Sequence, residues 1–290
     1  MVRLMSAMAG VIPPALGQPL CNLIGDWVAT RRQSTITQAV RLNQWVARGA
    51  SLDTQALDWA VRETLRNNIR DLFDLYHHLQ RPEAMKRRLI LNPLTSELIG
   101  RPEFSGRGLM MVGIHLSNFD GALQSLCRQG LNPLVLTIPN PQGGRRVEYE
   151  ARRKMGMNLV PASLAALRQA VRHLELGGMV LTGIDRPVTD PRLHPRFFGR
   201  PAPLPTHHIY LAMKARVPVV LMAAIRQSDG KYHLLSTGLM ELEQHADHET
   251  GMLANAEMVL GKAEDFVKLA PQQWNIPLTV WPQLLKDVPS

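Results

Sequence analysis

Residues 108–121 read Gly-Leu-Met-Met-Val-Gly-Ile-His-Leu-Ser-Asn-Phe-Asp-Gly, and this stretch constrains the chain most. Leu109 to Ile114 form a short apolar run bounded by glycines, the pattern of a buried strand. His115 then falls where the strand must end. Ser117 and Asn118 suit a turn and a helix N-cap. Asp120 falls where the next helix, Gly121 to Gln129, begins. A histidine and an aspartate five residues apart are therefore expected at the carboxyl edge of a sheet, which is where open α/β sheets bind ligands.

Four further runs share this form: Leu134 to Ile138, Met179 to Gly183, residues 218–225 and Tyr232 to Leu239. Between them, Leu164 to Leu174 and Leu253 to Leu269 carry helical spacing, and Arg145 to Lys154 is an arginine-crowded helix. The alternation predicts an α/β fold, with a central mixed, largely parallel sheet flanked by helices. A helical region precedes it. Leu57 to Leu79 sets Leu57, Val61, Leu65, Ile69, Leu72, Phe73 and Tyr76 on one face and Arg62, Arg66 and Arg70 on another. The expected divisions are a membrane-interacting segment over 1–32, a helical region over 33–100, and an α/β core with a C-terminal helix over 101–290.

The first segment has no clean run of about 20 apolar residues, because Pro13, Pro14, Pro19 and Asp26 interrupt it. Leu16, Leu20, Leu23, Ile24, Trp27 and Val28 nevertheless recur at helical spacing, and Arg31 and Arg32 follow. Two readings stand: a helix lying in a membrane interface with its arginines on phosphates, or an amphipathic helix packed on the body. Charge is uneven. The formal net charge is +9; the first 240 residues carry 30 Lys and Arg against 16 Asp and Glu, and the last 50 carry 3 against 8. A basic body fits an anionic membrane or a phosphorylated carrier. The basic residues are not interleaved with aromatics, which argues against nucleic acid. Two cysteines, Cys21 and Cys127, build no disulfide framework and fit a reducing compartment.

A neutral imidazole can take the proton of a hydroxyl as that oxygen attacks a carbonyl, and a carboxylate on its other nitrogen fixes the tautomer. With a substrate hydroxyl as nucleophile, no serine or cysteine is needed. A helix-capping Asp beside an unrelated His is the plainer alternative.

Gly-Ile-His-Leu-Ser-Asn-Phe-Asp resembles the His-four-residues-Asp motif of the lysophospholipid and glycerolipid acyltransferase superfamily. The closer resemblance is to the branch that acylates lipid A precursors (lauroyl and myristoyl transfer) and phosphatidylinositol mannosides. It extends through the strand, Arg-rich helix and Gly156-Met-Asn-Leu-Val, then Ile184-Asp185-Arg186. It continues through Arg196-Phe-Phe-Gly-Arg-Pro-Ala-Pro-Leu-Pro with the later Val217-Pro-Val, and ends at Ala270-Pro-Gln-Gln-Trp.

The resemblance implies an O-acyltransferase that moves a fatty acyl group from a thioester, acyl-CoA or acyl carrier protein, to a hydroxyl of a membrane glycolipid. His115 would be the general base and Asp120 its orienting carboxylate. Arg152 or Arg153 would reach the acceptor's phosphate or an active-site carboxylate. Asp185 would hold an arginine or the acceptor's hydroxyls, and Asn118 and Arg186 complete the substrate-binding set. Phe197 and Phe198 would wall the acyl chain or pack in the core. The oxyanion would meet backbone N–H groups at the helix after His115 or a nearby arginine. The thioester is a co-substrate, and no metal or bound organic cofactor is implied. The expected location is the cytoplasmic face of the cell membrane, peripheral or through a short N-terminal anchor. Alternatives are a lysophospholipid acyltransferase, a non-catalytic lipid-binding protein on the same scaffold, and a hydrolase, although no Gly-x-Ser-x-Gly elbow is present.

Overall fold

The computed structural model describes residues 9, 12–79, 81–101, 106–139, 146, 149–150, 152–153 and 156–289. Nine strands are assigned among them: β1 Leu89–Ile90, β2 Leu109–Gly113, β3 Leu134–Thr137, β4 Leu159–Pro161, β5 Met179–Gly183, β6 Arg196–Phe197, β7 Arg200–Pro201, β8 Val219–Arg226 and β9 Tyr232–Ser236. Seven form one sheet in the order β1-β9-β8-β2-β5-β3-β4, and β6 and β7 form a separate hairpin. Every pairing in the large sheet is parallel except β8 with β9. The fold is α/β with a mixed, largely parallel sheet, as the alternating pattern predicts. The region before residue 101 is not helical throughout: β1 joins the sheet edge beside β9.

The helices are α1 Pro14–Ala29, α2 Thr35–Ala47, α3 Thr54–Leu79, α4 Pro82–Arg88, α5 Pro93–Leu98, α6 Phe119–Arg128, α7 Leu164–Glu175, α8 His207–Ala215 and α9 His248–Leu269. Of the Arg-rich helix expected over Arg145 to Lys154, Arg145, Lys154 and residues 147, 148 and 151 lie outside the described residues. Arg146, Tyr149, Glu150, Arg152 and Arg153 are helical.

Strand parity sorts the core into two layers. Met110, Val112 and Ile114 of the β2 segment, with Val180 and Ile184, join one layer together with residues of α2, α7, α8 and α9. Leu109, Met111, Met179 and Leu181 face the other, against α4, α5 and α6. The central strand β2 is buried along its whole length, because it has a neighbour on each side and helices on both faces.

The N-terminal helix packs in an inverted sense. Gly17, Cys21 and Gly25 are its buried residues. At Gly25, a Cβ would come within 2.7 Å of the Arg66 backbone, so the absence of a side chain lets α1 lie directly on α3. Asp26 clamps the contact through two hydrogen bonds from Arg66, of 2.6 and 2.7 Å. The large apolar residues face outward: Leu16 and Leu23 are each 67% exposed and Trp27 55%. Arg31 stacks on the Trp27 ring at 3.5 Å, and Arg32 pairs with Asp58. Among the described residues no helix is long and apolar enough to cross a membrane.

Candidate active site

The site begins with register. Gly113 of β2 lies opposite Gly183 of β5 in a parallel pair. Two residues further along each strand stand His115 and Asp185. Equal offset and equal parity put the two side chains on the same face of the sheet, side by side at its carboxyl edge. His115 Nδ1 lies 2.6 Å from Asp185 Oδ1, and the His115 backbone N–H donates to Oδ2 at 2.8 Å. Trp274 Nε1–H donates to Oδ2 as well, at 2.9 Å. A carboxylate accepts and does not donate, so in the neutral imidazole Nδ1 carries the proton and Nε2 keeps its lone pair. The approach is close: a Cβ on Gly183 would sit 3.2 Å from His115 Cε1, so a larger residue there would press on the ring.

Asp185 is fully buried, whereas the His115 side chain keeps 22% of its surface open. Burial alone would raise the Asp185 carboxyl. The His115 charge, the two His115 hydrogen bonds and the Trp274 bond outweigh it and hold the group below the ordinary carboxylate value.

Asp120 takes a different partner from the one its spacing suggests. Its carboxylate pairs with Arg152 at 2.7 Å, while the carboxylate on the histidine ring nitrogen is Asp185. The reason is positional. Asn118 caps α6 by accepting the Gly121 N–H at 3.0 Å, which sets Asp120 in the first helical turn. Asp185 leaves the neighbouring strand beside the ring. Burial raises the Asp120 carboxyl, but Arg152, His115 and Arg186 together lower it below its usual value. His115, Arg152, Arg186 and Asp120 therefore share one electrostatic neighbourhood.

The other expected site residues divide. Asn118 belongs to the loop, buried, with its Nδ2 left without a partner among the described residues. Arg153 is exposed. Phe197 is fully buried, its ring centroid 5.6 Å from that of Trp274 and 5.7 Å from that of Trp281. It serves core packing and cannot line an open wall. Phe198 is half-buried at the edge of the same aromatic group, its backbone N–H held by Glu264 at 2.6 Å. The backbone N–H groups of Leu116 and Ser117 already donate to Ile114 and Gln273 carbonyls, at 2.8 and 2.7 Å.

The sequence reading assigned no site role to the 270–276 segment, yet it ties the loop down. Ser117 N–H donates to the Gln273 carbonyl, and Asn275 N–H donates to the His115 carbonyl at 2.7 Å. The Gln273 side chain exchanges two hydrogen bonds, both 2.9 Å, with the Arg226 backbone at the end of β8. From the other side, the Ser117 hydroxyl donates to Asp71 of α3 at 3.3 Å. Among the described residues no three His, Cys, Asp or Glu side chains are grouped to hold a metal ion.

The carboxyl edge of a mixed sheet thus presents His-x4-Asp with arginine beside it, the motif by which the chain resembles acyltransferases. The chain matches the family of bacterial lipid A biosynthesis acyltransferases over residues 4–281, and it belongs to that family. No curated protein sequence matches it. Its setting is thus acyl transfer in lipid biosynthesis.

Proposed function

We propose that this chain transfers a fatty acyl group from an acyl thioester, acyl-CoA or acyl carrier protein, to a hydroxyl of a membrane glycolipid of the lipid A precursor type. The observation that carries this reading is the His115–Asp185 pair, a buried carboxylate on Nδ1 with Nε2 left as base at the sheet edge. His115 Nε2 takes the proton from the acceptor hydroxyl as its oxygen attacks the thioester carbonyl. Asp185 stays ionised and stabilises the imidazolium. The tetrahedral oxyanion collapses, the carbon–sulfur bond breaks, and the imidazolium returns its proton to the leaving thiolate. Arg152, steadied by Asp120, supplies positive charge for the acceptor's phosphate, and Arg186 supplies it for the oxyanion.

A lipid acceptor requires access to a membrane. Leu16, Leu20, Leu23, Ile24 and Trp27 form the outward face of α1, next to Arg31 and Arg32. A face of this kind lies in the headgroup boundary of an anionic bilayer, with the arginines on phosphates. Each large side chain that leaves water there contributes about 1.5–3 kcal/mol at full burial. The enzyme would then work at the membrane surface as a peripheral protein.

The test is lipid analysis of a deletion strain and of a strain carrying His115→Ala. Loss of one acylated glycolipid in both strains, with build-up of its under-acylated precursor, supports the reading. A normal lipid profile in the His115→Ala strain overturns it. Build-up of a lysophospholipid instead moves the acceptor to the glycerolipid class.

A further inference from the structure

We infer that Trp274 is a positioning residue of the acyl transfer, whose indole N–H holds the Asp185 carboxylate in the orientation that serves His115; the inference rests on the reading of the His115–Asp185 pair given above. Asp185 Oδ1 faces the imidazole, while Oδ2 accepts from the His115 backbone and from the indole. The two His115 donors sit on one short loop. A carboxylate held by that loop alone could follow it. The indole is an independent anchor from the C-terminal segment.

The anchor is itself fixed. Trp274 is 2% exposed and packed against Phe197 and Trp281. Its flanking residues pair with the loop: Gln273 through its carbonyl to Ser117, and Asn275 through its N–H to the His115 carbonyl. The same segment is held from α2, where Gln44 donates to the Pro271 carbonyl at 2.7 Å and Asn43 to the Ile276 carbonyl at 3.0 Å. The hydrogen bonds from Gln44 and Asn43 thus tie the indole's segment to α2 as well as to the loop.

Trp281 shows that burying an indole in this cluster does not by itself demand an acceptor. It is fully buried beside Phe197, and its Nε1 has no hydrogen-bond partner among the described residues. A tryptophan wanted for volume alone would resemble Trp281. Trp274 differs by directing its donor at the ionised group of the pair, and hydrogen bonds to charged groups are the stronger kind.

The test uses the full-length protein with lauroyl-CoA and a phosphorylated diglucosamine lipid as acceptor, comparing Trp274→Phe, Trp281→Phe and His115→Ala. Phenylalanine keeps an aromatic ring in each slot and removes the N–H. Trp274→Phe should lower kcat about tenfold to hundredfold, with KM for the acceptor unchanged. The acid limb of its pH–rate profile should move to higher pH, because the carboxylate loses a donor and the coupled pair binds its proton more tightly. Trp281→Phe should keep the wild-type kcat and profile. Equal kcat and equal profiles in the two tryptophan variants overturn the inference. Activity retained by His115→Ala overturns the mechanism beneath it instead. A measurement independent of the folding of Trp274→Phe is the indole N–H resonance in Asp185→Asn, with the five peaks assigned by Phe substitution of Trp27, Trp45, Trp59 and Trp281 in turn. The Trp274 peak should shift and the Trp281 peak should stay. An unmoved Trp274 peak also overturns the inference.

Discussion

His115 and Asp185 are separated by 70 residues in sequence and by 2.6 Å in space. Two neighbouring parallel strands end in the same way, Gly113-Ile114-His115 and Gly183-Ile184-Asp185, with the glycines in register. The pair is thus built by the sheet, and the His-x4-Asp loop adds a second carboxylate whose partner is an arginine.

That division of labour predicts what Arg152 does. Arg152→Ala should raise KM for a phosphorylated glycolipid acceptor by about tenfold to hundredfold, the loss expected for a charge-assisted contact. Arg152→Lys should recover part of it, since lysine keeps the charge and loses the planar fork. Arg153→Ala, at an exposed position, should leave KM near the wild-type value. Steady-state kinetics with varied acceptor checks all three.

Asp71 predicts a pH dependence of stability. It is buried on α3, with Arg226 on β8, Ser117 in the loop, and Asp74 and Arg70 on its own helix as the facing groups. Burial pushes its carboxyl up to about 7. A carboxyl that binds its proton more tightly in the folded state stabilises the fold below its unfolded value. That contribution is lost as pH rises to about 7. The wild type should therefore lose on the order of a few kcal/mol from this group between about pH 4 and pH 7. Denaturant unfolding of Asp71→Asn across that range should show a shallower decline, with the variant at least as stable as wild type at the alkaline end.

Phe197→Ala should be one of the most damaging core changes. The side chain is fully buried among Trp274, Trp281 and Phe198, so its removal should cost about 3–5 kcal/mol. Thermal unfolding checks the stability loss. Because Phe197 supports Trp274, activity measured well below the melting temperature should fall as well.

The outward face of α1 predicts membrane affinity. Replacing Leu23 and Trp27 together by Glu should lower binding to phosphatidylglycerol vesicles at least about tenfold. Thermal stability should change little, since both side chains are exposed. Raising salt should weaken the wild type, because Arg31 and Arg32 act through a screened charge attraction. Vesicle co-sedimentation reads both effects.

Much of the fold was legible in the sequence. The short apolar runs marked β2, β3, β5 and β8, and Asn118 marked the start of α6. The direction of β9 was not legible, because side-chain alternation identifies a strand without saying which way it runs. Nor was the inner face of α1: the spacing of its leucines was plain, but large apolar residues usually face inward, and here Gly17, Cys21 and Gly25 do. Within the site, His115, Asp120, Arg152 and Asp185 were all identifiable, while the pairing among them was not. The pairing depends on strand register, which the repeated Gly-Ile-X endings signal once β2 and β5 are known to be neighbours. Asp71 comes from a distant segment and carried no local sign of its part, and Trp274 carried only its place in the Ala270-Pro-Gln-Gln-Trp ending.

The most direct test compares Asp185→Asn with Asp120→Asn in acyl transfer from lauroyl-CoA to the phosphorylated diglucosamine lipid. The His115–Asp185 account predicts that Asp185→Asn lowers kcat at least about hundredfold, the scale of general-base catalysis, with KM near wild type. It predicts that Asp120→Asn acts mainly on the acceptor's KM, through Arg152. A full kcat in Asp185→Asn together with a lost kcat in Asp120→Asn would contradict it.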